Sequence, residues 1–372
     1  MDFKGLAPEW VRALTPYPPG MPVEELEREY GISNSIKLAS NENPLGPSPK
    51  ALEALRGALE GVHRYPDGSS YYLRRALSQK LGVSPDTLIF GNGSNEIIEL
   101  AVRTFLQPGD EAVMADQAFI IYRMIVQAAG GRPKLVPLKE FTHDLEAIAE
   151  AVGPRTKMVF LANPNNPTGT MFPRSAWEEF LRVVPQRLIL VMDEAYAEYV
   201  DDAEYPNSLD DQGQDRPLIT LRTFSKIYGL AALRIGYGVA APEMIDLMNR
   251  VRQPFNVGTL AQVAAVAALR DDEHVARTRE VNAKGMEYLR GEFRRMGLTW
   301  VRSWANFLLV RVGSGAQVYE RLLRQGVIVR PMGFYGFPDH VRVTVGTMPE
   351  NERFVAALNL VLASRETRDQ AF

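Results

Sequence analysis

Leu188-Ile189-Leu190-Val191-Met192-Asp193-Glu194-Ala195-Tyr196 is the stretch that decides the fold. Five apolar residues without a polar break read as a strand buried on both faces, the pattern of a parallel sheet covered by helices. Asp193 closes the run, and a carboxylate there is costly unless a cation meets it. Two kinds of partner would satisfy it: an arginine, or something protonated and ring-like held beside it. Tyr196 follows closely enough to donate a hydrogen bond nearby.

Outward from this strand, short apolar runs alternate with amphipathic stretches between residues 51 and about 254. Runs at 88–90, 111–115, 134–138, 157–161, 218–221 and 235–240 read as further strands. Helices fall between them at 94–106, where Ile97, Ala101 and Phe105 recur at four-residue spacing, and at 119–129, 144–152 and 177–184. Seven strands alternating with helices imply an α/β unit with a mainly parallel sheet. Beyond residue 254 the texture changes. Helical patterns at 259–270, 273–296, 316–324 and 350–363 mix with strands at 300–312, 327–332 and 341–345, as in an α+β unit. The expected division is an N-terminal arm at 1–45 that packs on the small domain, a large domain at 46–255 and a small domain at 256–372.

Composition narrows the chemistry. The 372 residues carry 46% apolar and 23% charged side chains, ordinary for a globular protein of two or three units. There is no cysteine, which excludes a disulfide scaffold, an iron–sulfur cluster, a thiolate zinc site and a cysteine nucleophile. A net charge of −3 offers no basic field for nucleic acid or anionic membrane. The four histidines are scattered, so no metal is expected. The start MDFKGLAPEWVRAL does not read as a signal peptide, and no stretch approaches the roughly 20 apolar residues of a membrane span. The expected location is the cytoplasm, which discounts the sequon at Asn92-Gly93-Ser94.

Ligands of open α/β sheets bind at the carboxyl ends of the strands. After the strand at 88–90 comes Gly91-Asn92-Gly93-Ser94-Asn95-Glu96, a glycine-bearing turn into a helix whose free N–H groups suit an anion, with Ser94 as cap or phosphate ligand. Neither GxGxxG nor GxxxxGK is present. After 157–161 comes Asn163-Pro164-Asn165-Asn166-Pro167-Thr168-Gly169, a stiff polar loop. Arg222-Thr223-Phe224-Ser225-Lys226 follows 218–221, with Arg234 further on. Taken alone Lys226 reads equally well as a solvated lysine; desolvated near cations it becomes an amine nucleophile for Schiff-base chemistry. Arg330 and Arg342 lie on strands of the second unit, and an arginine within Val341-Arg342-Val343-Thr344-Val345 suits a bidentate clamp on carboxylate or phosphate. Together, a phosphate cradle, a buried aspartate, an amine and an arginine clamp are the parts that pyridoxal phosphate requires.

These residues closely resemble the aspartate aminotransferase superfamily of pyridoxal-phosphate enzymes, fold type I, and within it the histidinol-phosphate aminotransferases. The shared stretches are Lys37 to Pro44 (KLASNENP), Arg64-Tyr65-Pro66, Asn163 to Gly169, Asp193 to Tyr196, Arg222 to Lys226 and Val341 to Gly346. The resemblance implies that Lys226 bonds the cofactor's aldehyde and later moves a proton, and that Asp193 keeps the pyridine nitrogen protonated. By the same resemblance Asn166 and Tyr196 bond the ring's phenolic oxygen, and Phe119 stacks on its face. Ser94, Asn95, Thr223, Ser225 and Arg234 hold its phosphate, and Tyr65 reaches the phosphate of a neighbouring subunit's cofactor in a homodimer. Arg342 clamps the substrate, with Arg330, Tyr17, Asn43 and Asn306 completing the pocket. The activity implied is ping-pong exchange of an amino group between glutamate and imidazole acetol phosphate. Three positions depart from the family pattern: Phe119 where many relatives have Tyr, Ile227 where a small residue is common, and Ala232 where Gly is usual. An aromatic amino acid aminotransferase is the nearest alternative, and a pyridoxal-phosphate decarboxylase of a phosphorylated amino acid is a second. A ligand-sensing regulator would need a DNA-binding module, for which 45 leading residues and this charge give no room.

Overall fold

The computed structural model describes residues 3–18, 20–213 and 215–369. Twelve strands form among them: β1 (Ile36–Lys37), β2 (Leu88–Gly91), β3 (Glu111–Ala115), β4 (Arg132–Val136), β5 (Thr156–Ala162), β6 (Ile189–Asp193), β7 (Leu218–Thr223), β8 (Gly236–Val239), β9 (Phe307–Arg311), β10 (Val327–Ile328), β11 (Arg330–Pro331) and β12 (His340–Thr344). Seven make the large sheet, in the order β2-β8-β7-β6-β5-β3-β4. β3 to β7 run parallel, whereas β8 lies antiparallel between β2 and β7. The α/β architecture with a mainly parallel seven-stranded sheet therefore stands as expected.

Both faces of this sheet are covered, which is why its strands are apolar throughout. On one face the helices Gly93–Phe105, Ile121–Ala128 and Pro242–Val251 pack over Ile89, Met114, Phe160, Val191 and Leu221. On the other, Trp177 and Phe180 of the helix Arg174–Val183 lie against Val113, Val159 and Leu190. Local chemistry starts these helices: the Ser48 hydroxyl accepts from Ala51 N–H with Pro49 at the first helical position, and Asp144 accepts from Ala147 N–H.

The helix Thr259–Leu269 presents Ala261, Ala264, Ala265 and Ala268 to a third core with Leu73, Phe90, Phe224 and Tyr237 of the large unit. The sequence expectation put this helix in the small domain. Its alanines pack instead against helix Pro49–Ala58, because small side chains allow close approach. We therefore place the domain boundary after Leu269.

In the small unit β9 pairs antiparallel with β12, and β12 with β11. The single strand expected at 327–332 is split between two sheets, since β10 pairs with β1 of the arm while β11 turns to β12. The break falls where the buried pair Val327-Ile328 gives way to the half-buried pair Arg330-Pro331. The strand expected at 300–312 is regular only over β9. Residues 302–306 leave the sheet because Trp304 is drawn to the large unit, its backbone N–H donating to Gly169 O (2.8 Å) and its indole to Asp202 (2.9 Å).

The arm binds both units. Gln127 of the large unit donates to Trp10 O, while Leu26 and Ala39 join Leu323 and Ile328 of the small one. Among the described residues no helix is long and apolar enough to cross a membrane.

One close approach fixes the arm against the loop after β7. Gly229 has φ of 68°, and a Cβ there would stand 2.1 Å from the carbonyl oxygen of Gly46. Replacement by alanine forces a left-handed residue and a backbone shift together, at a cost of about 2–4 kcal/mol. Denaturant unfolding of Gly229→Ala should show that loss, and an unchanged midpoint would refute the close approach.

Candidate active site

The carboxyl ends of β2, β5, β6 and β7 converge on one cavity of about 180 Å³. Ser94, Asn95, Phe119, Asn166, Asp193, Tyr196, Thr223, Ser225, Lys226 and Arg234 all line it. Ten residues spread over 140 positions of sequence are thus brought together as expected for a cofactor site. Tyr65 lies outside it, 82% exposed and stacked on Phe255 at 5.0 Å.

Asp193 forms the floor, 6% exposed at the end of β6. The internal arginine that could have paired with it is engaged elsewhere: Arg222 bonds the fully buried Glu194 at 2.7 Å. Asp193 instead accepts from the Tyr122 hydroxyl (2.6 Å) and from Ala195 N–H (3.1 Å). Burial pushes its carboxyl up from the ordinary range, and the Tyr122 hydrogen bond opposes that rise. Burial also raises the Tyr122 phenol well above its usual value, so Tyr122 keeps the proton it donates. Tyr122 is itself locked, stacked on Phe160 at 5.1 Å and edge-on to Phe119 at 5.7 Å.

Lys226 enters from the loop after β7. Its Nζ donates to Ser40 O at 3.2 Å and stands 5.7 Å from the Tyr196 ring centroid. Loss of water around the amine lowers its pKa to about 8, and the positive charge of Arg342 pushes the same way. A lysine so tuned has a reactive neutral fraction near neutral pH.

The opposite end of the cavity is an anion cradle. The helix Gly93–Phe105 points its free N–H groups there, with Ser94 and Asn95 in its first turn. Arg234, itself left-handed at φ of 53°, donates to Ser225 Oγ (3.3 Å) and Asn92 O (3.4 Å). Ser225 N–H donates to Thr223 Oγ1 at 3.0 Å. Both glycines of the cradle are needed: a Cβ on Gly93 would meet Arg234 Nη2 at 2.5 Å, and one on Gly236 would meet Ser94 N at 2.5 Å.

Tyr17, Asn43, Asn306, Arg330 and Arg342, from the arm and the small unit, do not line this cavity; Arg342 meets it through Asn166, and Asn306 through Asn41, the partner of Tyr196. Arg342 on β12 is 7% exposed, donating from Nη1 to Asn166 Oδ1 and from Nη2 to Ala39 O (2.8 Å). Arg330 is its direct cross-strand partner on β11, donates to Pro18 O (2.7 Å) and lies 5.5 Å from the Tyr17 ring centroid. Asn306 is buried and donates to Asn41 O at 3.1 Å. Asn43 has its amide committed to Ile227 O and Thr278, and its oxygen to Leu45 N–H, so in this structure it ties the arm down.

Five further residues support the site. Tyr122 sits three positions after Phe119, just inside the helix Ile121–Ala128, a spacing that could have flagged it. Glu96 accepts from both Asn92 backbone N–H and its side-chain amide, holding the cradle loop closed. Arg222 and Glu194 form the ion pair behind Asp193. Asn41 reaches the Tyr196 hydroxyl at 2.8 Å across 155 residues of sequence, for which no sequence signal exists.

The donor set fits pyridoxal phosphate: a buried carboxylate with no cation bonded to it among the described residues, a softened amine, and an anion cradle at the far end. The chain matches the family model for aminotransferases of class I and II over residues 33–358, and it belongs to that family. Within the class it stands with the histidinol-phosphate aminotransferases. It is 52% identical over 361 residues to histidinol-phosphate aminotransferase 1 of Nitrosococcus oceani, covering 97% of this chain and 98% of the relative. Identity to the histidinol-phosphate aminotransferase of Moorella thermoacetica is 51%, over 95% of this chain and 92% of the other. The crystal structure of the Sinorhizobium meliloti histidinol-phosphate aminotransferase with pyridoxal-5'-phosphate superposes with a TM-score of 0.88 at 29% identity, over 96% of this chain and 97% of that one.

Two measurements check this geometry. Reductive alkylation of Lys226 by a small aldehyde in cofactor-free protein should rise with pH through a midpoint near 8 and level off above it, because only the neutral amine reacts. A rise that continues in step with surface lysines would contradict the enclosed position. Tyr122→Phe should weaken pyridoxal phosphate binding about tenfold, since a buried carboxylate loses a hydrogen bond; an unaltered Kd would remove Tyr122 from the site.

Proposed function

We propose that the chain exchanges an amino group between glutamate and imidazole acetol phosphate, forming 2-oxoglutarate and histidinol phosphate by a ping-pong route in histidine biosynthesis. The observation that carries this reading is Arg342 on β12, which bonds Asn166 of the cavity, lies close enough to Lys226 to lower its proton affinity, and pairs across the strands with Arg330 on β11. One substrate of the pair offers a phosphate and no carboxylate, the other carboxylates and no phosphate. Two guanidinium groups serve both anions.

When bound, pyridoxal phosphate supplies an electron-withdrawing ring that carries the amino group between the two substrates. The residues of the chain provide the rest. Asp193 holds a proton at the ring nitrogen, and Tyr122 keeps its carboxylate ionised for that task. The amine of Lys226, softened by loss of water and by Arg342, takes a proton from one carbon and returns it to another. Helix N–H groups, Ser94, Asn95, Thr223, Ser225 and Arg234 anchor the phosphate. Phe119 covers one ring face. Arg342 fixes the amide of Asn166 by taking its oxygen, which turns the Asn166 N–H groups to the phenolic oxygen of the ring. Arg330, Tyr17 and Asn306 close the substrate end.

We further propose a homodimer in which Tyr65 reaches the partner's cofactor phosphate. Its 82% exposure and its stacking on Phe255, itself 46% exposed, support this. An aromatic amino acid aminotransferase is the second reading, because imidazole and phenyl rings suit the same enclosed, aromatic-lined space.

The deciding experiment loads the protein with pyridoxal phosphate and titrates it separately with histidinol phosphate, phenylalanine and glutamate while following absorbance. Conversion at much lower histidinol phosphate than phenylalanine is expected; the reverse order would make the protein an aromatic aminotransferase. Lys226→Ala should keep the fold and lose all turnover, and persisting transamination would overturn the mechanism. Arg342→Ala should raise KM for the anionic substrate far more than it harms cofactor binding, whereas equal losses would misplace Arg342.

A further inference from the structure

Tyr196 is 4% exposed and its ring is wedged edge-on to Phe307 at 5.2 Å, so only its hydroxyl hydrogen is free to turn. Burial pushes its phenol up to about 12, which leaves that single proton in place at neutral pH. A phenol can point the proton at a neighbour or accept from that neighbour and point it elsewhere. The direction decides whether Tyr196 gives a hydrogen bond into the cavity or withholds it.

Asn41 makes that choice. Its Nδ2 donates to the Tyr196 oxygen at 2.8 Å. The amide cannot readily turn over, because Thr344 fixes its oxygen end: Asn41 backbone N–H donates to Thr344 Oγ1 (2.9 Å), which leaves that hydroxyl's proton to be donated to Asn41 Oδ1 (3.2 Å). The backbone of Asn41 is left-handed at φ of 55°, which asparagine tolerates better than most residues, and Asn306 donates to its carbonyl at 3.1 Å. The arm that carries Asn41 is stitched to the small domain through Leu38, which donates to Ile328 O (2.7 Å) and accepts from Thr344 N–H (2.8 Å). A chain of donors therefore runs from β12 through the arm to a tyrosine of the large unit.

We propose that Asn41 is a positioning residue which fixes the Tyr196 hydroxyl as a donor into the cavity, towards the phenolic oxygen of bound pyridoxal phosphate. This rests on the reading that Tyr196 meets that oxygen. A donor there draws charge off the oxygen and lowers the proton affinity of the adjoining Lys226 nitrogen. Asn41 thus sets the pH at which the bound cofactor titrates without touching the cofactor itself.

The test is a pH titration of the absorbance of bound pyridoxal phosphate in four variants. Tyr196→Phe should raise the midpoint. Asn41→Asp keeps the shape but presents an acceptor, so the phenol turns its proton away and the midpoint rises by about one pH unit, as expected for one lost charge-assisted hydrogen bond. Asn41→Gly keeps the left-handed backbone and removes the amide, and should give a smaller rise. Asn41→Asp combined with Tyr196→Phe should add nothing to Tyr196→Phe alone. An unmoved midpoint in Asn41→Asp and Asn41→Gly overturns the proposal, as does an undiminished Asn41→Asp shift in the Tyr196→Phe background, which would mark a through-space charge effect. No shift in Tyr196→Phe itself would refute the placement of Tyr196, and the proposal with it.

Discussion

A carboxylate buried at the end of a central parallel strand constrains everything around it. Asp193 pays a desolvation penalty that only hydrogen bonds and a cation can offset. The fold supplies the hydrogen bonds from Tyr122 and Ala195 and directs the nearest arginine, Arg222, to Glu194. The remaining acceptor capacity of Asp193 faces the cavity, where the proposed reading puts a protonated ring nitrogen. β6 is the fourth of the seven strands, with β5 and β7 on either side, so its end lies in the middle of the sheet.

Around that floor, charge is graded along the cavity. Cationic and N–H groups gather at the cradle, where Arg234 and the start of helix Gly93–Phe105 meet. Arg342 approaches from the other side and lowers the proton affinity of Lys226. On the proposed reading one arginine therefore does two things: it binds an anionic substrate and keeps the amine reactive. Its bond to Asn166 adds a third, orienting an amide of the large unit from a strand of the small one.

The two units and the arm are joined by polar contacts, two of which end in the site. Arg342 with Asn166, Asn41 with Tyr196, and Trp304 with Gly169 and Asp202 each cross between units. Buried hydrogen bonds of this kind are costly to break. They fix the relative placement of groups that no single unit holds.

The sequence by itself determined the seven strands, their helices and the residues at the strand ends, because burial on both faces imposes an unbroken apolar run and ligand chemistry collects where such runs stop. Lys226, Asp193 and the Ser94 turn were legible for that reason, and the resemblance of spaced motifs named the family. What tertiary structure decided was everything that depends on contact between distant segments. The break between β10 and β11, the allegiance of helix Thr259–Leu269, the commitment of Asn43 to anchoring the arm and the hold of Asn41 on Tyr196 all turn on partners 150 to 300 residues away or on which of two surfaces a helix meets. A linear pattern records how apolar a residue is and at what period. It does not record which neighbour will stand beside it once the chain has folded.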